Sequence, residues 1–152
     1  MTKIIMKKFF EEITFFGGIA FYLFVIILLL ISQKYIFALR LFLGLMIIYL
    51  ITFVIRLFYF KDRPKKMEYT SLLEKIDASS FPSIHAARIT YLFLFILFSS
   101  SFFLNPIVNI LMGVVSLLVV YSRIYLYKHD IVDVLAGVIL GGFAMIAFFI
   151  HL

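Results

Sequence analysis

Five long apolar runs, separated by short polar segments, dominate the chain. A helix that spans a bilayer needs about 20 predominantly apolar residues, and in lipid its backbone groups must be hydrogen-bonded within the segment. The runs cover approximately Ile13–Ser32, Ile36–Phe60, Ile84–Leu104, Pro106–Tyr121 and Ile131–Leu152. The pattern therefore predicts an all-α fold: a polytopic bundle of about five transmembrane helices, in which the fourth run is short unless it continues to Tyr127.

The polar segments divide into one long loop and several short ends. Residues 1–12 carry lysines and glutamates spaced like an interfacial amphipathic helix; a signal peptide is disfavoured because the following apolar run is too long and no small-residue cleavage site follows it. Residues 61–83 form the long polar loop, in which Leu72, Leu73 and Ile76 predict one amphipathic turn. We expect residues 1–152 to form a single membrane-embedded domain.

Composition supports a membrane protein. Of the 152 residues 65% are hydrophobic and 14% charged, whereas soluble domains are about half apolar and a quarter charged. This disfavours a soluble globule and excludes a disordered chain and a coiled coil, and the absence of cysteine excludes disulfides and thiolate metal sites. The net charge of +6 indicates cytoplasmic loops, contact with anionic lipid headgroups or an anionic substrate, whereas nucleic acid is a poor candidate partner.

Nearly all ionisable residues fall on one side of the predicted bundle. Five spans place the N-terminus, the 61–83 loop and the 122–130 turn together, with Lys34 and Arg40 as the cationic exceptions on the other side. By the positive-inside rule this side is cytoplasmic. We therefore expect a multi-pass protein of the cell membrane, and the charge bias favours the cytoplasmic side for its charged face.

Several ionisable residues lie within or beside the predicted spans. They are Arg56, His85, Arg88, Arg123, His129 and Asp133. A charge at the bilayer centre costs about 3 kcal/mol on insertion scales, so such groups are functional candidates. Extension of basic side chains to the headgroups accounts well for the lysines at positions 61, 65, 66 and 128, but poorly for two histidines and an aspartate.

His129 and Asp133 are four residues apart, so a helix would place them on one face. A carboxylate that binds one imidazole nitrogen makes the other nitrogen a better base or nucleophile. A helix-start aspartate beside an interfacial histidine is an equally good interpretation of this pair alone.

The Ser80–His85 segment predicts a helix start with an early proline, Pro82, and a serine that supplies the cap. Free backbone donors at such a start bind anions, and His85 would face them. Arg56, Arg63 and Arg123 add three guanidinium groups on the same side. Together these residues favour a phosphate ligand.

The chain resembles the type-2 phosphatidic acid phosphatase superfamily, which includes the vanadium haloperoxidases. Three motifs carry the resemblance, in the family's order. The family's Lys-x6-Arg-Pro appears as Arg56-x6-Arg63-Pro64, Pro-Ser-x-His as Pro82-Ser83-Ile84-His85, and Ser-Arg-x5-His-x3-Asp as Ser122-Arg123-x5-His129-x3-Asp133.

The resemblance implies a role for each matched residue. His129 would be the nucleophile that becomes a phosphohistidine, Asp133 would orient it, and His85 would protonate the leaving group. The phosphoryl oxygens would be held by Arg56, Arg63, Ser83 and Arg123. The family's chemistry implies neither a metal nor another cofactor.

The chain departs from the family pattern in four respects. Arg56 replaces the usual lysine with a planar fork, and Ile84 stands where glycine is common. Many bacterial members have six spans, and we count five. Many members also face the periplasm, the exterior or a lumen, against the cytoplasmic bias of the lysines here.

The leading hypothesis is therefore an integral-membrane phosphatase of lipid phosphates or pyrophosphates, whose substrate tail stays in the bilayer. A phosphotransferase to a lipid or sugar acceptor is one alternative. A non-enzymatic helical assembly or transport protein is another, because Gly137 and Gly141 form a small-residue face that suits helix packing within the chain or in a homo-oligomer.

Overall fold

A computed structural model describes residues 2–65, 67–99 and 105–149. These residues form helices and connecting loops, which confirms the predicted all-α class. The elements in chain order are α1 (Thr2–Ile13), a 3-10 turn (Thr14–Gly17), α2 (Ile19–Ile31), α3 (Tyr35–Phe58), α4 (Leu72–Ala78), α5 (Ile84–Phe98), α6 (Pro106–Tyr125) and α7 (Ile131–Phe149).

Two helices, α3 and α6, are each long and apolar enough to cross a membrane. The segment from α1 to α2 is a third candidate if it forms one span, although it bends by 44° at its break. Helices α5 and α7 are apolar but shorter in their described parts. Each predicted run thus contains one apolar helix, while the count of five crossings stays a prediction; the expected ends at Leu104 and Leu152 lie outside the described residues.

The predicted N-terminal amphipathic segment is helical, and one side of it packs on α6. Phe10 is buried, and its ring centroid lies 5.4 Å from that of Tyr121 and 4.5 Å from that of Tyr125. Most of the other α1 side chains are exposed, including Lys7 and Glu11, which form an exposed ion pair at 3.8 Å. The segment is therefore anchored to the bundle through its aromatic contact.

Helix α5 lies at the centre of the bundle and packs most closely against α7. A Cβ atom added at Gly137 would lie 2.4 Å from the Ser83 carbonyl oxygen, and one at Gly141 would lie 2.4 Å from the Ala87 carbonyl oxygen. Only glycine permits this approach of two helix backbones. Of the two uses that the sequence allowed, this face serves packing within the chain, and the homo-oligomer stays a prediction.

The course of the chain brings four helix ends together. Helices α3 and α6 end where α5 and α7 begin, and α4 covers the same end of the bundle. In α4 a capping box joins Ser71 and Glu74, which explains where this short helix begins. Of its predicted amphipathic residues Ile76 is buried, while Leu72 and Leu73 are exposed.

Candidate active site

A cavity of about 260 Å³ lies where the four helix ends meet. It is lined by Tyr49, Arg56, Arg63, Asp77, Ile84, His85, Arg88, Arg123, Lys128 and His129. Five of the seven site residues predicted from the sequence therefore face one space, including both histidines. The other two, Ser83 and Asp133, are fully buried beside it.

A tight turn after α6 delivers His129 to this cavity. The backbone amides of Lys128 and His129 both donate to the Arg123 carbonyl oxygen at 3.1 Å. His129 is only 3% exposed, and its Nδ1 lies 3.7 Å from Oδ2 of Asp133. That distance suits an ion pair with a protonated imidazole but exceeds a hydrogen bond, so the predicted pair is adjacent without being hydrogen-bonded.

Lys61 makes the direct contact with Asp133. Its Nζ lies 2.7 Å from Oδ1 of Asp133 and 2.6 Å from Oδ2 of Asp130. Burial lowers the pKa of Lys61, but its hydrogen bonds with the two carboxylates outweigh burial and raise that pKa above its usual value. The interpretation of Lys61 as a headgroup-seeking lysine is therefore wrong: its ammonium stabilises the buried carboxylate behind His129.

The start of α5 differs from the sequence prediction. Ser83 is the N-cap residue, but its side chain makes no capping hydrogen bond, and Pro82 precedes the cap instead of lying in the first turn. The Ser83 amide donates to the Asp133 carbonyl oxygen at 2.9 Å, so the starts of α5 and α7 are joined. The hydroxyl of Ser83 is left buried without a hydrogen-bond partner.

Arg56 uses most of its N–H groups to donate hydrogen bonds to backbone carbonyls. Its Nε donates to the Phe81 carbonyl at 3.3 Å, its Nη1 to those of Ile76 and Asp77 at 3.2 and 3.4 Å, and its Nη2 to that of Pro82 at 3.0 Å. A guanidinium has five N–H donors, so one remains for the cavity. The fork of Arg56 thus braces the segment that precedes Ser83, which a lysine with three donors could not do in the same way.

We expect Arg56→Lys to lower stability and turnover together, although it restores the usual family residue. Losing charged hydrogen bonds to buried carbonyls costs about 1.5–3 kcal/mol each, and the loosened segment carries the start of α5. The measurements are the thermal unfolding midpoint in detergent and the rate of phosphate release. An Arg56→Lys protein with both values unchanged would show that the hydrogen bonds of Arg56 do not stabilise the segment before Ser83.

Arg88 and Tyr49 are site residues that the motifs did not identify. Arg88 is 3% exposed, its Nη1 donates to the Tyr49 hydroxyl at 2.8 Å, and its Nη2 lies 3.4 Å from Nδ1 of His85. Because a guanidinium only donates, Nδ1 accepts and the proton of a neutral His85 lies on Nε2. The available signal was the spacing: Arg88 follows His85 by three residues on one helix face.

Buried polar atoms without partners gather around the cavity. Arg123 donates from Nη1 to Thr14 at 2.7 Å and Arg63 donates from Nη2 to the Asp77 carbonyl at 2.7 Å. Hydrogen-bond partners are nevertheless lacking for the Nε atoms of Arg63, Arg88 and Arg123, the hydroxyl of Ser83 and Nδ1 of His129. Since buried polar groups are normally paired, and most of these are cationic donors, the arrangement fits an anionic ligand.

Charge supports the same ligand. The cavity lining contains four arginines and one lysine but only one carboxylate, that of Asp77. No group of three or more histidine, aspartate or glutamate side chains placed to hold a metal ion occurs within the described ranges. The chemistry of the lining is that of an oxyanion site in which the protein supplies the positive charge.

The cationic surroundings keep His129 neutral. Burial, followed by the charges of Arg123 and Arg63, lowers the pKa of His129 to about 3. We expect histidine-selective NMR of the ligand-free protein to show no titration of His129 between about pH 5 and 7, where an ordinary histidine changes charge. Arg63→Gln should raise the pKa of His129, because one charge that opposes protonation is gone.

The signal of His129 is identified by its loss in His129→Asn. A wild-type His129 that titrates near neutral pH, or an Arg63→Gln variant in which its pKa falls, would contradict the electrostatic account.

The fold and the cavity define a helical membrane protein with a cavity lined by cationic side chains and two histidines. The model of the PAP2 superfamily matches residues 37–152. The chain belongs to this superfamily, and the matched range contains α3 from its third residue onward, α4 to α7 and every site residue predicted from the sequence.

Two solved structures have a similar fold. LpxE of Aquifex aeolicus is 22% identical, with a TM-score of 0.76 over 94% of this chain and 84% of that one. The first transmembrane PAP2-type phosphatidylglycerolphosphate phosphatase of Bacillus subtilis is 24% identical, with a TM-score of 0.76 over 93% of this chain and 74% of that one. No curated protein matches the chain.

Proposed function

We propose that this protein is a metal-independent membrane phosphatase that hydrolyses lipid phosphate or pyrophosphate monoesters through a phosphohistidine intermediate. The observation that carries the proposal is the set of unpartnered buried donors around the two histidines in one cavity. Membership of the PAP2 superfamily supports it. The name of one structural neighbour, a phosphatidylglycerolphosphate phosphatase, supports a lipid substrate.

In the first step the phosphoryl group lies among the arginines. Arg63, Arg88 and Arg123 bind its oxygens and stabilise the charge that develops in the transition state. Because Nδ1 of His129 faces Asp133, Nε2 is the atom that attacks phosphorus. The new P–N bond forms as the P–O bond to the leaving group breaks, and His129 becomes positively charged beside Asp133.

His85 takes up a proton when the anionic phosphate enters the cavity, and the resulting imidazolium donates its Nε2 proton to the leaving oxygen, which returns His85 to the neutral form whose Nδ1 faces Arg88. In the second step water attacks the phosphohistidine, His85 takes the water's proton, and the P–N bond breaks to release phosphate. Both histidines then have their starting protonation. Lys61 acts only indirectly, through the ion pair that holds the carboxylate of Asp133 in place.

The experiment is a phosphate-release assay on purified protein in detergent, with phosphatidate, phosphatidylglycerophosphate, lipid A phosphate and isoprenyl pyrophosphate as substrates. We expect release to continue in EDTA. A brief pulse of ³²P-labelled substrate should leave a protein adduct that resists alkali and is lost in acid.

Abolition of release by EDTA, with recovery on adding magnesium, would contradict the metal-independent mechanism. Transfer of label to an added lipid or sugar alcohol, without free phosphate, would identify a phosphotransferase instead. No turnover with any substrate would leave the non-enzymatic alternative.

We further propose that α2, α3, α5, α6 and α7 cross the cell membrane and that the cavity opens on the cytoplasmic side. The end of the bundle that holds the cavity carries Lys61, Lys65 and Lys128. An excess of basic residues in the loops is typical of the cytoplasmic side of a membrane protein. The chain contains no cysteine, so a single introduced thiol reports sidedness without background.

We expect Lys65→Cys to react with a membrane-impermeant maleimide only after cells are opened, and Lys34→Cys to react in intact cells. The reverse pattern would place the cavity outside the cytoplasm. Reaction of both variants in intact cells would contradict an odd number of crossings between these positions and support a re-entrant segment.

A further inference from the structure

A second, smaller hollow adjoins the catalytic cavity. It has a volume of about 210 Å³ and lies between α3, α4 and the start of α5. Its lining is formed by Tyr49, Thr52, Phe53, Arg56, Leu73, Ile76, Asp77 and Ile84. We call it the α3–α4 groove.

The α3–α4 groove connects the charged cavity with the apolar surface of the bundle. Tyr49, Arg56, Asp77 and Ile84 line both spaces, so the two share one wall. On the outer side, Phe53 is 45% exposed and Leu73 is 73% exposed. A molecule with its phosphate in the cavity could therefore extend along the groove into the lipid.

One polar atom in this groove has no partner. Thr52 is 1% exposed, and its hydroxyl makes no hydrogen bond. An unsatisfied buried hydroxyl is costly, and a ligand atom that pairs with it removes that cost. An all-hydrocarbon occupant would leave the hydroxyl unpaired, whereas a lipid with a polar linkage would not.

The position of Thr52 defines where that linkage lies. Thr52 precedes Arg56, which lines both the groove and the cavity, by four residues on α3, which corresponds to roughly 6 Å along the helix axis. In an acylglycerol phosphate a few bonds separate the phosphate from the first ester carbonyl, a comparable span. An isoprenyl phosphate has no polar atom at this distance beyond its phosphate groups.

We infer that the α3–α4 groove is a binding subsite for the ester-linked acyl chain of a glycerol-based lipid phosphate, and that the Thr52 hydroxyl donates to the ester carbonyl. This inference rests on the proposed function. It distinguishes among the substrates of that function and makes Thr52 a specificity-determining residue.

The first test compares ester-linked phosphatidate with its ether-linked analogue, which has the same chains but lacks the carbonyl. The wild-type protein should prefer the ester by about fivefold in kcat/KM, the value of one hydrogen bond. Thr52→Val keeps the shape of the side chain and removes the hydroxyl, so it should bring the ratio of the two rates close to one. Turnover of the ether lipid by Thr52→Val verifies that the variant is folded.

An ester-to-ether ratio that is the same in wild type and Thr52→Val would overturn the role of Thr52. Absence of turnover of both glycerolipids by a wild-type protein that hydrolyses isoprenyl pyrophosphate would also overturn the inference, whereas absence of turnover with every substrate of the panel would contradict the proposed phosphatase function, so the two failures are distinguishable.

The second test uses two adjacent leucines of α4. Leu72 and Leu73 are exposed to 66% and 73%, but only Leu73 lines the groove. We expect Leu73→Trp, which fills the groove, to raise the KM for phosphatidate several-fold, and Leu72→Trp to leave it unchanged. Equal effects of the two variants, or none, would show that the acyl chain does not lie in this groove.

Discussion

Replacing His129 with asparagine should abolish both the labelled adduct and phosphate release. The change removes the only nitrogen in the proposed mechanism that bonds to phosphorus, and loss of a nucleophile lowers turnover by 10⁴-fold or more, on the order of magnitude seen in enzymes that form covalent intermediates. The fold should survive, because asparagine is smaller than histidine and Nδ1 of His129 makes no hydrogen bond. The measurements are the ³²P pulse and the release rate on one substrate.

His85→Asn is the matched control, because His85 lines the same cavity but donates a proton instead of attacking. With phosphatidate its loss should be about 10²–10⁴-fold, the value of a general acid. With p-nitrophenyl phosphate the loss should be much smaller, since nitrophenolate leaves without a proton, and the adduct should still form. A His129→Asn protein that forms the adduct, or equal losses of the two variants on both substrates, would contradict the assigned roles.

Replacing Lys61 with methionine should destabilise the protein by about 3 kcal/mol, the cost of leaving a buried charge without its partner. Asp133 is 0% exposed, and Lys61 is the cation bound to its Oδ1. Methionine has nearly the same length but no charge. Turnover should fall as well, because Lys61 no longer fixes the position of the Asp133 carboxylate beside His129. The measurements are thermal unfolding in detergent and phosphate release.

Lys65→Met is the control on the same loop. Lys65 is exposed, and its hydrogen bond to the Tyr127 carbonyl is donated by its backbone N–H, which the substitution keeps. It should leave stability and turnover near the wild-type values. In the double variant Lys61→Met/Asp133→Asn the buried charge is gone, so stability should recover while turnover does not. Equal stability of the Lys61 and Lys65 variants would show that the Lys61–Asp133 ion pair does not stabilise the fold.

The apolar pattern predicted the helices of the bundle well, and it failed mainly at their ends. Helix α2 begins at Ile19 and not at Ile13, because a 3-10 turn and the Gly17–Gly18 pair interrupt the apolar run. Helix α6 continues to Tyr125, past the end of its most apolar part. Hydropathy reports the medium around a segment, whereas helix ends depend on local turns that the same residues also allow.

The sequence predicted only part of the candidate site, because the motifs do not state which groups come into contact. The motifs identified five residues that line the cavity. Lys61 and Arg88 occupy no defined position of any motif, so the motifs assigned them no role. Arg56 was expected to bind phosphate, and four of its hydrogen bonds go to backbone carbonyls between Ile76 and Pro82. A motif states which residue types recur, but a donor's partner depends on which backbone comes within about 3 Å of it.

The sequence by itself determined the all-α class, the apolar helices and the residues whose chemistry suits a phosphate, because these depend on hydropathy, spacing and side-chain type along one chain. Only the tertiary structure decided that Lys61 binds Asp133, that Arg88 donates to Tyr49, and that the α3–α4 groove opens beside the cavity. Each of these brings together segments that are distant in sequence. Their relative positions follow from the packing of α5 against its neighbours, which no local pattern encodes.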